Sequence, residues 1–270
     1  MIKKTLRTVF LILVLVFLYA PILILAFYSF STATAIGAGG SFSVENYITL
    51  FTTPELMDMI IGTVLLAVVV AVISTLLGTL GALGAFYSGR KMRSVMNTMN
   101  QVPVVNADVV TGFAVCILVV VVLGVSKDTY IPLVAGLVAL CAPFVYLSVM
   151  PRLKQSDPSI YEAALDLGAT PRTALFKIII PQIFPGIISG FALSITLALD
   201  DYFIAVYTKP ATFDTISTYV VNATRGSHTE IKTALWALST LIFAIVITIV
   251  VVMNVRTSRN DDKRKGGKRI

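Results

Sequence analysis

Long apolar runs recur along this chain and restrict it to folds that exist in a lipid bilayer. Each run has roughly the 20 residues that a helix needs to cross about 30 Å of hydrocarbon. No alternating-strand pattern supports a barrel, and a spanning backbone must otherwise satisfy its polar groups within helices. We therefore predict an all-α polytopic membrane protein with six transmembrane helices. The expected spans are residues 9–28, 59–87, 102–125, 130–150, 183–208 and 233–255.

The composition excludes an ordinary soluble domain. Hydrophobic residues make up 57% of the chain, charged residues only 13%, and the mean hydropathy is +0.90. Cys116 and Cys141 lie inside apolar runs, so a disulfide is not indicated, and the lone His228 cannot form a metal site by itself. The chain has no GxxxxGK[ST] phosphate loop and no HExxH or GxSxG motif. We therefore expect a chain that is not an enzyme and binds no metal or cofactor.

The distribution of basic residues predicts the orientation. Of the 21 Lys and Arg residues, 17 fall on one side of the predicted membrane and 4 on the other. The positive-inside rule places the richer side in the cytosol, together with both termini. The first apolar run is longer than the core of a signal peptide, which favours an uncleaved span. We predict a multi-pass protein of the bacterial plasma (inner) membrane, whose basic tail anchors it near anionic lipid rather than binding nucleic acid.

One polar stretch, residues 156–190, has far more structure than a connector requires. Asp157 and Pro158 can start a helix, and Gly168 can adopt the left-handed conformation that ends it. Thr170 and Pro171 then start a second helix, which we expect to end near Pro181. Two short helices between two spans indicate a docking element. The alternative is an amphipathic interfacial helix without a partner.

The same stretch resembles the EAA loop in the permeases of ABC importers. The match is carried by Glu162-Ala163-Ala164, Gly168 and, at the expected spacing, Ile178, Ile180 and Pro181, although Ile180 stands where the family usually has Leu. The resemblance implies the type I ABC importer transmembrane fold and a cytosolic coupling helix that docks on a separate ATPase. The residues it assigns to ATPase coupling are Glu162, Ala163, Ala164, Asp166 and Gly168.

Three carboxylates lie within the predicted spans. Asp108 is expected in the inner third of the third span, and Asp200 and Asp201 in the outer third of the fifth. A charged Asp in mid-bilayer costs about 2.5–3.5 kcal/mol, so such residues usually face a cavity or a partner. We predict that they line a path for a cation, with Asp200 facing the path and Asp201 acting as a gate or a packing hydrogen bond; helix capping and packing are the alternative roles. The aromatic residues expected to add cation–π contacts are Tyr202, Phe203 and Tyr207.

A narrower resemblance covers the segments around these carboxylates. Residues 194–208, 106–112 and 229–241 are similar to segments of spermidine/putrescine permeases, although Ala107 and Thr229 stand where prolines are usual. The resemblance implies an importer with two permease chains, two ATPase subunits and an extracytoplasmic polyamine-binding protein. This chain would be the second permease. The alternatives are a permease for another solute, such as iron or thiamine, and an ion-coupled secondary transporter that uses the carboxylates.

The expected organisation has three parts. Residues 1–58 form an N-terminal span and an extracytoplasmic segment. Residues 59–255 form the permease core, with its coupling loop at residues 151–181. Residues 256–270 form the basic cytosolic tail. The small residues Ser74, Gly78 and Ala82, spaced by four, are expected to pack the second span against another helix.

Overall fold

The computed structural model describes residues 2–33, 37–157, 159–225, 233–244 and 247, and these are helical apart from connections and one isolated antiparallel bridge between Ser31 and Phe42. Two π-helical turns, Ile117–Val122 and Leu175–Ile179, each continue directly from the α-helix before them. The helices are α1 (Ile2–Ser29), α2 (Glu45–Thr52), α3 (Pro54–Tyr87), α4 (Arg90–Val105), α5 (Asp108–Cys116), α6 (Ile131–Gln155), α7 (Ser159–Asp166), α8 (Pro171–Ala174), α9 (Ile180–Asp200), α10 (Phe203–Thr208), α11 (Ile216–Arg225) and α12 (Thr233–Ala244).

Four described helices are long and apolar enough to cross a membrane. They are α1, α3, α6 and the continuous stretch Pro171–Asp200, and the bent pair α4–α5 makes a fifth if it is counted as one span. Of the predicted sixth span, residues 233–244 and 247 belong to the described part of the chain, and Thr233–Ala244 is a shorter apolar helix. The all-helical, multi-span prediction is confirmed, and the count of six remains a prediction. The basic tail at residues 256–270 lies outside the described residues.

The prediction of a continuous third span over residues 102–125 is wrong. Helix α4 ends at Val105, Asn106 and Ala107 are extended, and α5 leaves at 105° to α4. The Asn106 amide donates to Thr111 Oγ1 at 3.0 Å, a local side-chain bond that competes with helix continuation. Asp108 is therefore the first residue of a helix and does not lie six residues inside one.

The prediction of a separate fifth span over residues 183–208 also needs correction. The helix that starts at Pro171 runs without a break through Pro181 to Asp200, so the loop's second helix is the beginning of the span. The chain then turns at Asp201 and Tyr202 before the short α10. Asp200 therefore shares no continuous helical face with Phe203 and Tyr207.

The chain divides into two compact units, of which the first comprises residues 1–57 and 222–270. Within it, the Asn46 side chain donates to the carbonyls of Ser29 and Ser31, both at 3.0 Å, which holds the start of α2 at the end of α1. The Trp236 ring of α12 packs edge-on against Tyr28, with centroids 6.0 Å apart. The first unit thus has its own internal contacts.

The second unit, residues 58–221, is built around α6. Two buried clusters line this helix: one where it meets α3, α9 and α10, and one where it meets α3, α9 and the end of the coupling loop. A Cβ on Gly78 of α3 would lie 2.6 Å from the Cβ of Val145, so only glycine allows this approach. Ser74 and Ala82 are fully buried on the same helix. The predicted packing role of this small-residue face is confirmed, and its partner is α6.

Candidate functional site

Asp201 connects the two helices at the break in the fifth span. Its carboxylate accepts hydrogen bonds from the N–H groups of Ile204 at 3.4 Å and Ala205 at 2.9 Å, near the start of α10. These donors have no partner within the helix, so the side chain acts as a cap. Ser217 Oγ donates to Leu199 O at 2.9 Å and satisfies a carbonyl at the end of α9. The break therefore has its backbone groups paired by side chains.

The middle of α5 is in direct contact with the first turn of α10. A Cβ added to Gly112 would lie 2.9 Å from the Cα of Ile204. Nearby, the rings of Phe113 and Tyr207 pack edge to face with centroids 6.1 Å apart. Helix α5 and the start of α10 are thus held side by side.

Three carboxylates converge at this junction. Asp108 opens α5, Asp200 ends α9 and Asp201 caps α10. Gly112, one turn after Asp108, approaches Ile204, three residues after Asp201, so the three carboxylates lie at neighbouring helix ends. Asp108 and Asp200 are both exposed, and neither forms a hydrogen bond or an ion pair with any residue that the structure describes. Asp108 and Asp200 thus carry carboxylates without a partner, beside a helix break whose backbone groups are hydrogen-bonded. Such carboxylates attract cations.

The predicted aromatic residues lie beside these carboxylates. Tyr202 is half-buried, and its ring packs against Phe203 with centroids 5.4 Å apart. Phe203 and Tyr207 stand one turn apart on α10 and are 48% and 37% exposed. The fold therefore brings the six predicted path residues to one junction, but through two helix breaks rather than along one face. Among the described residues, no cluster of three His, Cys, Asp or Glu could hold a metal ion.

Local hydrogen bonds shape the loop between α6 and α9. Asp157 Oδ1 accepts from the N–H of Ser159 at 2.9 Å and from its hydroxyl at 2.7 Å. These bonds hold the pKa of Asp157 below its ordinary value, because they favour the charged form. The predicted cap at Asp157 is confirmed, whereas Pro158 lies outside the described residues.

Gly168 ends α7 in the left-handed conformation that the sequence predicts, with φ +87°. Its N–H donates to Leu165 O at 2.9 Å, and the Ala169 N–H donates to Ala164 O at 3.0 Å. This pair of bonds is the Schellman motif, which favours glycine at the left-handed position. The Thr170 hydroxyl then accepts from the Thr173 N–H at 3.3 Å and caps α8 as predicted.

The α7 helix has an outward face and an inward face. Glu162, Ala163 and Asp166 are exposed, whereas Ala164 is buried. Tyr161 packs on the buried cluster where α3, α6 and α9 meet. The outward face thus carries the two carboxylates of the EAA-like segment, and the inward face contacts the spanning helices.

Tyr161 is a residue that sequence reasoning missed. Its ring lies 5.2 Å from that of Tyr87 at the end of α3, and both rings line a cavity of about 660 Å³ with Arg93 and Lys154. The signal available in the sequence was weak, because one aromatic residue on a short amphipathic helix is usually only a packing residue.

These features define a polytopic membrane permease. A structured polar loop lies between two of its spans, and the breaks between α4 and α5 and between α9 and α10 carry acidic residues. The chain belongs to the binding-protein-dependent transport system inner membrane component family, whose model matches residues 75–260. Its relatives in this family are permease subunits of ABC transporters, so the chain is a transport subunit and not itself an enzyme.

Individual relatives span most of the chain. The putrescine transport system permease protein PotI of Escherichia coli (strain K12) is 33% identical over 246 residues, which cover 89% of this chain and 86% of that protein. The spermidine/putrescine transport system permease protein PotC of Haemophilus influenzae is 28% identical over 257 residues, which cover 95% and 98% of the two chains. A bacterial alginate ABC transporter, solved with an alginate-bound periplasmic protein, shares the fold at a TM-score of 0.71 and 19% identity, covering 93% of this chain and 91% of that one.

Proposed function

We propose that this chain is the second permease subunit of an ATP-driven importer of polyamines such as spermidine and putrescine. Separate ATPase subunits, another permease chain and an extracytoplasmic binding protein complete the transporter. The named relatives transport putrescine or spermidine, and the solved alginate transporter carries a periplasmic protein. The observation that carries the choice of substrate is the pair of unpaired carboxylates, Asp108 and Asp200, at the junction of the two helix breaks.

The chemistry of a polyamine suits this junction. Its ammonium groups are separated by apolar methylene segments, so it needs carboxylates and apolar or aromatic contacts in alternation. Asp108 and Asp200 supply negative charge, and the exposed rings of Phe203 and Tyr207 supply surfaces for cation–π and methylene contacts. Asp201 serves the path indirectly, because its carboxylate caps α10 and sets the angle of the break. An inorganic anion would be repelled by the same carboxylates.

The coupling role is proposed for α7. Its outward residues Glu162, Ala163 and Asp166 are accessible to a docking ATPase, and Gly168 fixes the end of the helix. The side chain of Ala164 is buried on the inner face of α7 and helps to hold the helix in place. The excess of Lys and Arg predicts that this loop and both termini lie in the cytosol of a bacterial cell, where ATP is available.

The test is uptake of labelled solutes into proteoliposomes that contain this chain with its ATPase, companion permease and binding protein. We expect ATP-dependent uptake of putrescine and spermidine, and no competition by iron chelates or thiamine. Uptake that follows an ion gradient without ATP would contradict the ATP-driven proposal. Uptake of iron or thiamine in preference to the polyamines would contradict the proposed substrate.

A further inference from the structure

Helix α4 presents an apolar face that nothing in the described structure covers. The exposed fractions of Met92, Val95, Met99 and Val102 are 55%, 53%, 65% and 56%. Because successive residues turn by about 100°, these four side chains form one stripe along the helix. In a membrane protein such a stripe faces lipid or another chain.

The other side of α4 contacts helices of its own chain. Asn97 Oδ1 accepts a hydrogen bond from the Tyr146 hydroxyl, and Asn100 Nδ2 donates to Pro143 O at 3.3 Å. Arg93 donates to the last carbonyls of α3, those of Ala85 and Phe86. One side of α4 is thus fixed to α3 and α6, and the helix direction is set by these contacts.

The direction of α4 suits the surface of a bilayer. The apolar α5 and its π-helical extension leave α4 at 105°. If α5 crosses the bilayer, α4 lies close to the membrane plane, with its apolar stripe able to enter the acyl chains. Amphipathic helices that lie in the interface have this combination of an apolar face and basic residues.

The charges of α4 identify the lipid class. Arg90, Lys91 and Arg93 open the helix, and the helix contains no Asp or Glu. Arg90 and Lys91 are exposed, and neither forms an ion pair with a described residue. Lys91, four residues before Val95, flanks the apolar stripe, whereas Arg90 lies on the face of Ser94. Each Lys or Arg held near an anionic surface strengthens binding about fivefold.

We propose that α4 is an interfacial helix that binds anionic phospholipid through Lys91 while its Met92–Val95–Met99–Val102 stripe enters the acyl chains. The proposed orientation places the helix in the cytosolic leaflet. Only this choice of leaflet depends on that orientation. Arg93, in the first turn of α4, lines the cavity that Tyr87 and Tyr161 also line. The proposed lipid site therefore lies next to the contact between α7 and α3.

The test places a genetically encoded fluorescent amino acid at Met99 in the assembled importer, reconstituted in nanodiscs. Nanodiscs contain equal densities of nitroxide-labelled phosphatidylglycerol or nitroxide-labelled phosphatidylcholine, with the nitroxide near the headgroup. We expect quenching by both lipids and about fivefold stronger association of phosphatidylglycerol. The same probe at Ser94, an exposed position about 140° around the helix, should instead be quenched by aqueous iodide. The variant Lys91→Gln should lose the preference for phosphatidylglycerol and keep the contact with lipid.

Three results would overturn this inference. A probe at Met99 that neither lipid quenches would show that a companion protein covers the stripe. Equal quenching by the two lipids in the unmodified chain would show that α4 does not select an anionic headgroup. A preference that survives in Lys91→Gln would show that Lys91 does not bind that headgroup. Val95 is a second label position on the same stripe if the Met99 variant does not assemble. The measurement needs no transport, so it can fail or succeed independently of the proposed substrate.

Discussion

The ring of Tyr161 on α7 lies with its centroid 5.2 Å from that of Tyr87, the last residue of α3. This contact and the buried cluster beneath it connect α7 to the spanning helices, and under the proposed coupling role they would carry a movement of the loop. Aromatic pairs of this kind contribute about 0.5–1.5 kcal/mol beyond the area that they bury. We therefore expect the contact to contribute to the proposed coupling.

Replacing Tyr161 with Ala should reduce the polyamine imported per ATP hydrolysed by roughly two- to tenfold, which corresponds to the loss of that pair energy. Tyr161→Phe keeps the ring and should keep the coupling. The measurement is parallel ATP hydrolysis and uptake in proteoliposomes. If the Ala variant imports as efficiently as the Phe variant, the ring contact does not transmit motion.

The first turn of α7 should loosen in acid through Asp157. Its hydrogen bonds with Ser159 lower the pKa of the carboxyl, so they stabilise the turn above the unfolded pKa and are lost as the pH falls through the folded value, below about pH 4. We expect faster hydrogen exchange of the Ser159 amide in Asp157→Ala at neutral pH. Asp157→Asn retains an acceptor that does not titrate, so its exchange should show no such acid transition. An unchanged amide in the Ala variant would argue against the cap.

The close packing of α3 on α6 predicts a contrast between two glycines on α3. A Cβ at position 78 would lie 2.7 Å from the carbonyl oxygen of Ala142 and 2.6 Å from Val145 Cβ. Gly78→Ala should therefore destabilise the protein by about 1–3 kcal/mol. A Cβ at position 84 would have no neighbour within 4 Å, so Gly84→Ala should be neutral or stabilising by up to about 1 kcal/mol. Thermal unfolding in detergent distinguishes the two variants, and equal midpoints would contradict the packing.

The two unpaired carboxylates and the capping carboxylate should respond differently to removal of charge. Asp200→Asn loses a contact with a charged ammonium, worth about 1.5–3 kcal/mol, so the apparent KM for putrescine should rise by at least about tenfold with the protein's stability unchanged. Asp201→Ala loses a helix cap and should lower stability by about 0.5–2 kcal/mol. Asp201→Asn keeps an acceptor for the cap. A normal KM in Asp200→Asn would remove this residue from the path.

Local features of the coupling loop were predictable because they depend on neighbouring residues. Asp157 caps α7, Gly168 ends it in the left-handed region, and Thr170 caps the next helix. Each of these follows from side chains and backbone groups within a few residues of one another. The spacing of the EAA-like residues indicates the family for a similar reason, because it is a pattern within one short stretch of sequence.

The helix breaks were not predicted, because the apolar runs continue on both sides of the few polar residues at each break. The available signals were Asn106 and Asp201, whose side chains bond the backbone or a hydroxyl a few residues ahead. Such residues favour caps over helix interiors. In an apolar run, the carboxylate of Asp201 instead favours the prediction of a path residue. The role of Tyr161 could not be predicted, since it depends on packing against α3, which lies far away in the sequence.

The most direct test of the whole account is a charge reversal on the outward face of α7. In proteoliposomes containing the assembled importer, ATP hydrolysis and putrescine uptake are measured together for the unmodified chain and for Glu162→Arg, with co-purification of the ATPase as the control for assembly. Because Glu162 is exposed on α7, its replacement should leave the fold intact and disturb docking. The account predicts that uptake falls much further than ATP hydrolysis. A Glu162→Arg chain that assembles and imports putrescine at the normal ratio to ATP would contradict it.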